Sequence, residues 1–419
     1  MRLEYVISGC GYTAFHDSKM NDELAEISKS FFRTNQHPDY DFSVLFNAWV
    51  EPKFLAGLQK AWVFHRSFSD SGGLQVVTLG KEITPELRRQ VYNIQSESDV
   101  AMCFDEIPLI AAGGSKIGDT SNRVFDATRI NDSAIGTANN INEQANMFDN
   151  LNTHTKIMAI AHGNEHGDYV QYTETLFKHL TEAAKKRIAG ISMAGTCNGS
   201  GLADVLEPIQ GLVEMQIPPE FKKNVHLLGF GSMTRILPFM ILENNILSFV
   251  DRLSFDSTTH SSAFSKGRFL LPGEWKFSGK SPRNALSDRM LRFLEIVEKR
   301  YFNDHFTEEQ KKKFHLTVVN NLSNIRGQKH DDHVGDMIYL LAVIGAVESS
   351  RNFMEKMVEV QKKPTSILQE LPSRQASAYR MLMGVKTLED YIERKPTMIK
   401  LLGSKKIRRV EANLTDLFE

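Results

Sequence analysis

Short apolar runs that alternate with helix-like segments constrain the fold of this chain more than any other feature. Each run ends in a polar or glycine-rich corner, and residues in helical spacing follow it, as in Tyr169 to Arg187 and Met233 to Asn245. The runs are Trp62 to Phe68, Val100 to Phe104, Ile157 to Ala161, Ile188 to Met193, Val225 to Leu228 and Ile246 to Phe255.

This alternation predicts an α/β fold with a parallel sheet, because parallel strands need crossover connections, which are usually helices. Val44 to Trp49 and Leu74 to Leu79 bring the number of predicted strands towards eight. We therefore expect a (β/α)8 TIM-like barrel, with an open doubly wound sheet as the alternative. In both folds the functional residues collect at the carboxyl ends of the strands.

Two stretches depart from the alternation. Residues 115–152 are rich in Asn, Asp, Ser and Thr and weak in periodicity, so we predict a long irregular insertion over one end of the barrel. The barrel with this insertion is predicted to span residues 1–284. Residues 285–419 are predicted to form a mainly helical C-terminal region, with helical spacing in Leu286 to Tyr301, His333 to Lys362 and Ser373 to Lys395.

Charge and cysteine content exclude several classes of protein. The chain of 419 residues has a formal net charge of -1, so no global field attracts it to nucleic acid or to a membrane. Its three cysteines are too few and too far apart for a disulfide scaffold. We see no apolar run long enough for a signal peptide or a membrane span. We expect a cytoplasmic protein, in the host cytoplasm if a phage encodes it, with no membrane partner.

Three aspartates, Asp70, Asp105 and Asp256, each close a different predicted strand. In a barrel their carboxylates would converge on one mouth. Three acids around one pocket suit chemistry at an acetal-like carbon, with one acid as nucleophile, one as proton donor and acceptor, and one as substrate holder. Taken singly, each has another explanation: a helix cap or tight turn for Asp70, a solvated Asp-Glu pair for Asp105, and a local backbone contact for Asp256.

The sequence around these aspartates resembles the tRNA-guanine transglycosylases, from about residue 60 to residue 280. Asp70-Ser71-Gly72-Gly73-Leu74-Gln75 is similar to the family's Asp-Ser-Gly-Gly-Phe-Gln signature, and Ser98 to Glu106 is similar to its Ala-Asp-Ile-Val-Met-Ala-Phe-Asp-Glu segment. Weaker likenesses follow in the family's order: Ala189 to Met193, His226 to Gly231, Ser254 to Ser257, and Gly267-Arg268.

The resemblance implies a (β/α)8 barrel and a role for each matching residue. Asp256 would attack C1′ of a guanine nucleotide and hold the sugar covalently. Asp70 would act as general acid and base, and Asp105 would hydrogen-bond the purine. Further contacts to the base would come from Ser71, Gly72, Gln75, His162, Gly163, Gly190 and Ile191. We expect no cofactor and no metal.

Two departures from the family pattern affect the expected substrate. His162-Gly163 stands where the family has glutamine before glycine, and no cysteine follows Cys197, so the family's Cys-x-Cys-x-x-Cys…His zinc motif is missing from the sequence. His330-Asp331-Asp332-His333 offers metal-ligating residue types, although a polar helix start explains this spacing better. A branch of the superfamily without the zinc motif (the DpdA type) acts on DNA, and the chain resembles this branch more.

The resemblance therefore implies a DNA guanine transglycosylase that inserts a free 7-deazaguanine base, such as preQ0, in place of guanine. Its partners would be guanine-containing DNA and the free base, and tRNA is the less favoured polymer. Two further alternatives stay open: a non-catalytic nucleic-acid-binding subunit on the same fold, and a glycosidase that transfers the sugar to water.

A polyanion would have to be held by local basic clusters. The best candidate lies near the C-terminus, because few acids are close to it in the sequence. We expect phosphate contacts from Arg268, Lys405, Lys406, Arg408 and Arg409, with Lys400, Lys185 to Arg187 and Lys311 to Lys313 as further candidates. A solvated helix face is the other explanation for each cluster.

Overall fold

Eight parallel strands close into a barrel in the computed structural model of the chain, which confirms the predicted (β/α)8 fold and excludes the open sheet. In chain order the strands are β1 (Arg2–Ile7), β2 (Tyr40–Asn47), β3 (Ser67–Asp70), β4 (Val100–Met102), β5 (Leu109–Ala111), β6 (Arg123–Asp126), β7 (Lys156–Ala161), β8 (Ile188–Ala194), β9 (Asn224–Leu228), β10 (Arg252–Ser257) and β11 (Arg408–Val410). The order around the barrel is β1-β10-β9-β8-β7-β4-β3-β2, and β11, β6 and β5 form a separate small sheet.

The structure describes residues 1–8, 37–48, 65–72, 83–111, 123–257, 259–264, 268–277, 288–301, 307 and 333–411. The helices in these ranges are α1 (Pro85–Gln95), α2 (Ile130–Asn150), α3 (His166–His179), α4 (Glu182–Arg187), α5 (Leu206–Glu214), α6 (Met233–Ile241), α7 (Thr259–Phe264), α8 (Asp288–Tyr301), α9 (His333–Lys362), α10 (Ser373–Met383) and α11 (Leu388–Leu402). Among the described helices, none combines the length and the apolar character that a membrane crossing requires.

The first strand of the barrel, β1, was not among the strands predicted from the sequence. It lies between β2 and β10 and closes the barrel, with Val6 paired to Ser43 on one side and to Asp256 on the other. The predicted strand Leu74 to Leu79 lies outside the described residues. Arg2 and Glu4 interrupt the apolar character of β1, which explains why its sequence signal is weak.

Helix α2 corrects the prediction of an irregular segment at residues 115–152. Residues 130–150 form a regular helix, which packs against α3. Its buried face includes polar residues: Asn140 Nδ2 donates to the carbonyl oxygen of Phe104 at 3.0 Å, and Gln144 Nε2 donates to Oε1 of Gln95 at 2.7 Å. The apolar periodicity that identifies an amphipathic helix is therefore diluted by polar side chains that find buried partners.

Helix α9 places part of the C-terminal region against the barrel. Phe353 contacts the ring of Tyr5 in β1, with ring centroids 6.5 Å apart. At the far end of the helix, Gln361 Nε2 donates to the carbonyl oxygen of Met1 at 2.7 Å. The hydroxyl of Tyr5 in turn donates to the carbonyl oxygen of Ser257 at 3.1 Å. The helix thus supports the strand end that carries Asp256.

Charged residues fill the amino-terminal end of the barrel interior. Glu4 is fully buried and pairs with Arg66 and Arg252, and Arg252 also pairs with Asp41. Burial acts to raise the pKa of Glu4, but Arg66 and the Ser43 hydroxyl hold that pKa below its ordinary value. These charged side chains form ion pairs with one another. Side chains that are available to a substrate are therefore expected at the opposite end of the barrel.

Candidate active site

The three predicted aspartates lie at the carboxyl end of the barrel. Asp70 is the last residue of β3, Asp256 is the last but one of β10, and Asp105 follows β4 by three residues. Functional groups of (β/α)8 barrels lie at this end. The negative charges of Asp105 and Asp256 both act on the carboxyl group of Asp70. The structure therefore brings the three acids together in one mouth.

Asp256 is held from one side. Its Oδ1 accepts a hydrogen bond of 3.0 Å from the backbone N–H of Gly229, and it lies 3.5 Å from Nε2 of His226. Gly229 has a φ of 79°, a left-handed conformation that favours glycine. Asp256 is 9% exposed. Both of these contacts are made to Oδ1, which leaves Oδ2 as the oxygen that can meet a substrate.

Asp70 has the most informative pKa in the mouth. The pKa of its carboxyl group is raised to about 7, first by burial and then by the negative charges of Asp105 and Asp256. Backbone N–H groups of Gly72 and Ser71 donate to the carboxylate and oppose this shift. A group with a pKa near 7 gives up and takes back a proton at neutral pH, as a general acid and base must.

Ser71 and Gly72 form the corner after β3 that we predicted to contact the base. Both residues are buried, and Gly72 has a φ of 73°, which favours glycine. At the end of the neighbouring strand β2, Asn47 Nδ2 donates to Oδ2 of Asp70 at 3.4 Å. Gln75, another predicted base contact, lies outside the described residues.

Asp105 contacts His162, a residue that we predicted to contact the base. His162 Nε2 lies 2.6 Å from Oδ2 of Asp105, and His162 Nδ1 lies 3.7 Å from Sγ of Cys197. The ring of Tyr172 packs edge-on against His162, with centroids 5.5 Å apart. His162 is 0% exposed, so it lies behind Asp105 and orients that carboxylate.

The proton on His162 can be assigned from its two neighbours. An ionised carboxylate only accepts hydrogen bonds, so Nε2 donates to Asp105. Burial raises the pKa of the Cys197 thiol, which therefore stays protonated and faces the unprotonated Nδ1. Cys197, His162 and Asp105 thus form a line of contacts that ends at the mouth of the barrel.

Gly163 has a packing role that explains the glycine. A Cβ atom at this position would lie 2.6 Å from a ring carbon of Tyr169 and 2.8 Å from the backbone nitrogen of that residue. The hydroxyl of Tyr169 donates to the carbonyl oxygen of Ala194 at 2.9 Å. The small residue therefore lets α3 begin close to the ends of β7 and β8.

Gly190 and Ile191, which we predicted to contact the base, lie inside β8 rather than at its carboxyl end. Gly190 pairs with Met158 in β7, about four residues or ~13 Å along the strand below the level of His162. A Cβ on Gly190 would clash with the carbonyl oxygen of Asn224, which gives the glycine a packing role. The corner at the mouth is instead formed by Ala194 and Gly195, where β8 ends.

Two of the four residues in the C-terminal basic cluster pair with acids, which the sequence argument did not foresee. Lys406 pairs with Glu165 and Glu207, and Arg409 pairs with Asp168. Sequence distance concealed these partners, because they lie more than 190 residues earlier in the chain. By contrast, the side chains of Lys405, Arg408, Lys400 and Arg268 form no ion pair with a described residue.

The remaining sequence candidates divide into paired residues and residues outside the described ranges. Arg187 pairs with Asp149, and Lys185 pairs with Glu182 in the same helix. Lys311 to Lys313 and His330 to Asp332 lie outside the described residues, and His333 begins α9. Within the described ranges, no group of three or more His, Cys, Asp or Glu side chains is placed to hold a metal ion.

Two site residues were not assigned roles from the sequence. His226 lies in β9 and contacts Asp256, and Cys197 lies beyond β8 and contacts His162. A histidine inside an otherwise apolar strand is a weak signal of a polar group inside the barrel. Cys197 offered no signal, because its partner is 35 residues away in the chain.

This mouth combines a carboxylate held by neighbouring donors, a carboxyl group that titrates near neutral pH, and a third carboxylate oriented by a histidine. Such a set suits displacement at a sugar carbon with proton transfer to a leaving base. Neither a scan against protein-family models nor a search of curated proteins finds a match to this chain.

Proposed function

We propose that the protein is a DNA guanine transglycosylase, a pentosyltransferase that exchanges guanine in DNA for a free 7-deazaguanine base. The observation that carries the proposal is that two carboxyl groups suited to different tasks lie in the same mouth. Asp256 is buried with one oxygen held by Gly229, and Asp70 has a pKa of about 7 in the same mouth. A nucleophile and a proton carrier are the two groups that a double displacement requires.

In the first half of the reaction, Oδ2 of Asp256 attacks C1′ of the target deoxyribose. The C1′–N9 bond breaks, and the leaving guanine takes a proton from the protonated carboxyl group of Asp70. In the second half, the incoming base gives a proton to Asp70, and its ring nitrogen attacks C1′ and breaks the ester bond to Asp256. Two inversions at C1′ give net retention.

Asp105 is the group that we assign to the base. A carboxylate accepts hydrogen bonds from the N–H groups on the pairing edge of guanine and of 7-deazaguanines. His162 donates to one carboxylate oxygen, which favours a fixed orientation of the other. A base that is paired in duplex DNA must leave the stack to reach such a pocket. DNA is proposed before tRNA because the sequence lacks the family's zinc motif.

The test is base exchange by the purified protein. Guanine-containing DNA or unmodified tRNA is incubated with preQ0, and the nucleosides are analysed by mass spectrometry after digestion. We expect a modified deoxynucleoside with the wild type and none with Asp256→Ala. Asp251→Ala is the matched control, because Asp251 lies just before β10, is exposed and pairs only loosely with Lys223 at 3.8 Å.

The other outcomes identify the alternatives. A modified ribonucleoside without a modified deoxynucleoside would move the substrate to tRNA. Release of guanine with no base inserted would indicate a glycosidase that uses water. Binding of nucleic acid without exchange or release, in wild type and Asp256→Ala alike, would indicate the non-catalytic subunit and contradict the proposal.

A further inference from the structure

His226 lies behind Asp256 and has no part in the steps above. Its strand, β9, pairs with β10, which carries Asp256. The side chain of His226 is completely buried, and its Nδ1 lies 2.9 Å from Oγ of Ser254. Its Nε2 is buried without a hydrogen-bond partner among the described residues, yet Oδ1 of Asp256 is only 3.5 Å away. Buried polar atoms without partners are rare in proteins, so this one calls for an explanation.

The surroundings of the ring indicate which nitrogen carries the proton. The hydroxyl of Ser254 has one proton, and it lies 2.9 Å from His226 Nδ1 but 3.4 Å from the carbonyl oxygen of Val225. The shorter contact takes the proton, so Nδ1 accepts and Nε2 carries the proton of the neutral ring. The Nε2–H group is then on the side of the ring that faces Asp256.

The ring is also held in place by packing. Phe68 in β3 stacks on it across the barrel, with ring centroids 5.8 Å apart and an angle of 28° between the planes. The ring of His226 thus contacts Phe68 through its face, the hydroxyl of Ser254 through Nδ1 and the carboxylate of Asp256 through the Nε2 side. A donor that is held in this way restricts the rotation of the carboxylate that it faces.

We propose that His226 is a positioning residue for Asp256. Its Nε2–H and the backbone N–H of Gly229 together hold Oδ1, so that Oδ2 is presented to C1′ of the sugar. Ser254 acts through His226 by fixing the tautomer that makes Nε2 a donor. This inference rests on the proposed function, because it assigns the orientation of the nucleophile in that reaction.

The first test measures the contact without any substrate. In protein labelled with ¹⁵N-histidine, His226 is assigned by comparison with His226→Gln. We expect a protonated Nε2, an unprotonated Nδ1, and a change in the Nε2–H signal in Asp256→Asn. A proton on Nδ1 with an unprotonated Nε2, or an Nε2–H signal that is unchanged in Asp256→Asn, would overturn the proposal.

The second test measures the covalent step. Protein and guanine-containing DNA are mixed without an incoming base, quenched in denaturant, and the protein–DNA adduct is quantified over time. His226→Phe should lower the rate of adduct formation roughly 10- to 100-fold, with little change in the KM for DNA. His226→Gln, which keeps a side-chain N–H donor, should recover part of the rate. An unchanged rate in His226→Phe would overturn the proposal.

His260→Phe is the matched control for loss of a buried histidine. His260 lies in α7, is also buried, and also contacts a serine hydroxyl, with Nδ1 3.2 Å from Oγ of Ser349. His260→Phe should lower the rate of adduct formation much less than His226→Phe does, because His260 forms no hydrogen bond or ion pair with Asp256 among the described residues. If the wild type forms no adduct with any DNA, the proposed function fails, while the ring signals and their response to Asp256→Asn still decide whether His226 holds the carboxylate.

Discussion

Asp70 illustrates how the mouth of a barrel changes the chemistry of a single acid. Burial removes its carboxyl group from water, and two further carboxylates lie near it. Both effects disfavour the charged form, so its pKa rises to about 7. The sequence identified Asp70 as a candidate because it ends an apolar run. It could not supply the pKa, which depends on Asp105 and Asp256 being brought close by the closed barrel.

The raised pKa of Asp70 predicts how stability changes with pH. The folded protein holds a proton on Asp70 up to about pH 7, whereas the unfolded chain loses it near pH 3.8, so Asp70 costs the wild type stability as pH rises through this window. Asp70→Asn should therefore gain stability relative to the wild type between pH 4 and pH 8, by on the order of 2 kcal/mol. Urea unfolding at both pH values measures the gain.

Asp251→Asn serves as the baseline for this measurement, because Asp251 lies at the surface with 67% of its side chain exposed. An Asp70→Asn variant that follows the wild type at every pH would contradict the raised pKa and, with it, the proposed role of Asp70 as proton carrier. The control variant separates this result from general effects of pH on the barrel.

At the scale of elements, β11 is held by ion pairs as well as by strand pairing within the small sheet. It pairs with β6 through Arg408 to Val410, and the segment before it is held by Glu207, whose carboxylate contacts Lys395 and Lys406 at 2.6 and 3.1 Å. Burial opposes the charge on Glu207, but Lys395 and Lys406 lower its pKa to about 2. This explains how a chain end without a long apolar run is kept near the mouth.

Glu207→Gln should destabilise the protein by about 3 kcal/mol at pH 7, because it leaves the buried Lys395 without its counter-charge. Glu207 contributes stability above pH 4.5, its ordinary pKa, and loses that contribution as the pH falls towards 2. The difference between variant and wild type should therefore shrink below pH 4.5. Urea unfolding at pH 7 and pH 3 checks both statements.

Glu182→Gln is the control for Glu207→Gln. Glu182 pairs with Lys185 at 2.8 Å, but 82% of its side chain is exposed, so its loss should cost much less stability than the loss of Glu207. Equal effects of the two substitutions would contradict the structural role given to Glu207. Hydrogen exchange of residues 403–411 would show whether β11 is loosened selectively.

For the whole molecule, the C-terminal basic residues separate into two classes that should respond differently. Lys405 and Arg408 are exposed and form no ion pair with a described residue, whereas Lys406 and Arg409 pair with buried carboxylates. Lys405→Ala with Arg408→Ala should weaken DNA binding and reduce the salt dependence of affinity by about one to two ions, with little change in Tm. Lys406→Ala with Arg409→Ala should lower Tm instead.

Fluorescence anisotropy with a DNA duplex at several salt concentrations, beside thermal unfolding, measures both effects. An unchanged salt dependence in the Lys405 and Arg408 double variant would contradict the prediction that this cluster binds DNA phosphates. Each double variant removes two positive charges. A difference in DNA affinity or Tm between the two variants therefore reflects the positions of the charges and not their number.

By itself the sequence determined the α/β class and the three acids at strand ends, because alternating strands and helices and a polar residue after each strand are local patterns. It favoured the barrel, and the closed strand order excluded the open sheet. It missed β1, where charges of the barrel interior interrupt the apolar run, and α2, where buried amides replace apolar residues. The base contact at Gly190 stays a prediction, and Gly190 lies four residues before the end of β8.

Only the tertiary structure decided which residues act together. His226 and Asp256, Cys197 and His162, and Lys406 and Glu207 are all distant in sequence and meet because the strands close and the C-terminal segment returns to the barrel. The burial of a group, its hydrogen bonds and the effect of neighbouring charges on its pKa all depend on which groups the fold brings close in space. A single sequence fixes the residue types that are present, and the fold sets their pKa values, partners and roles.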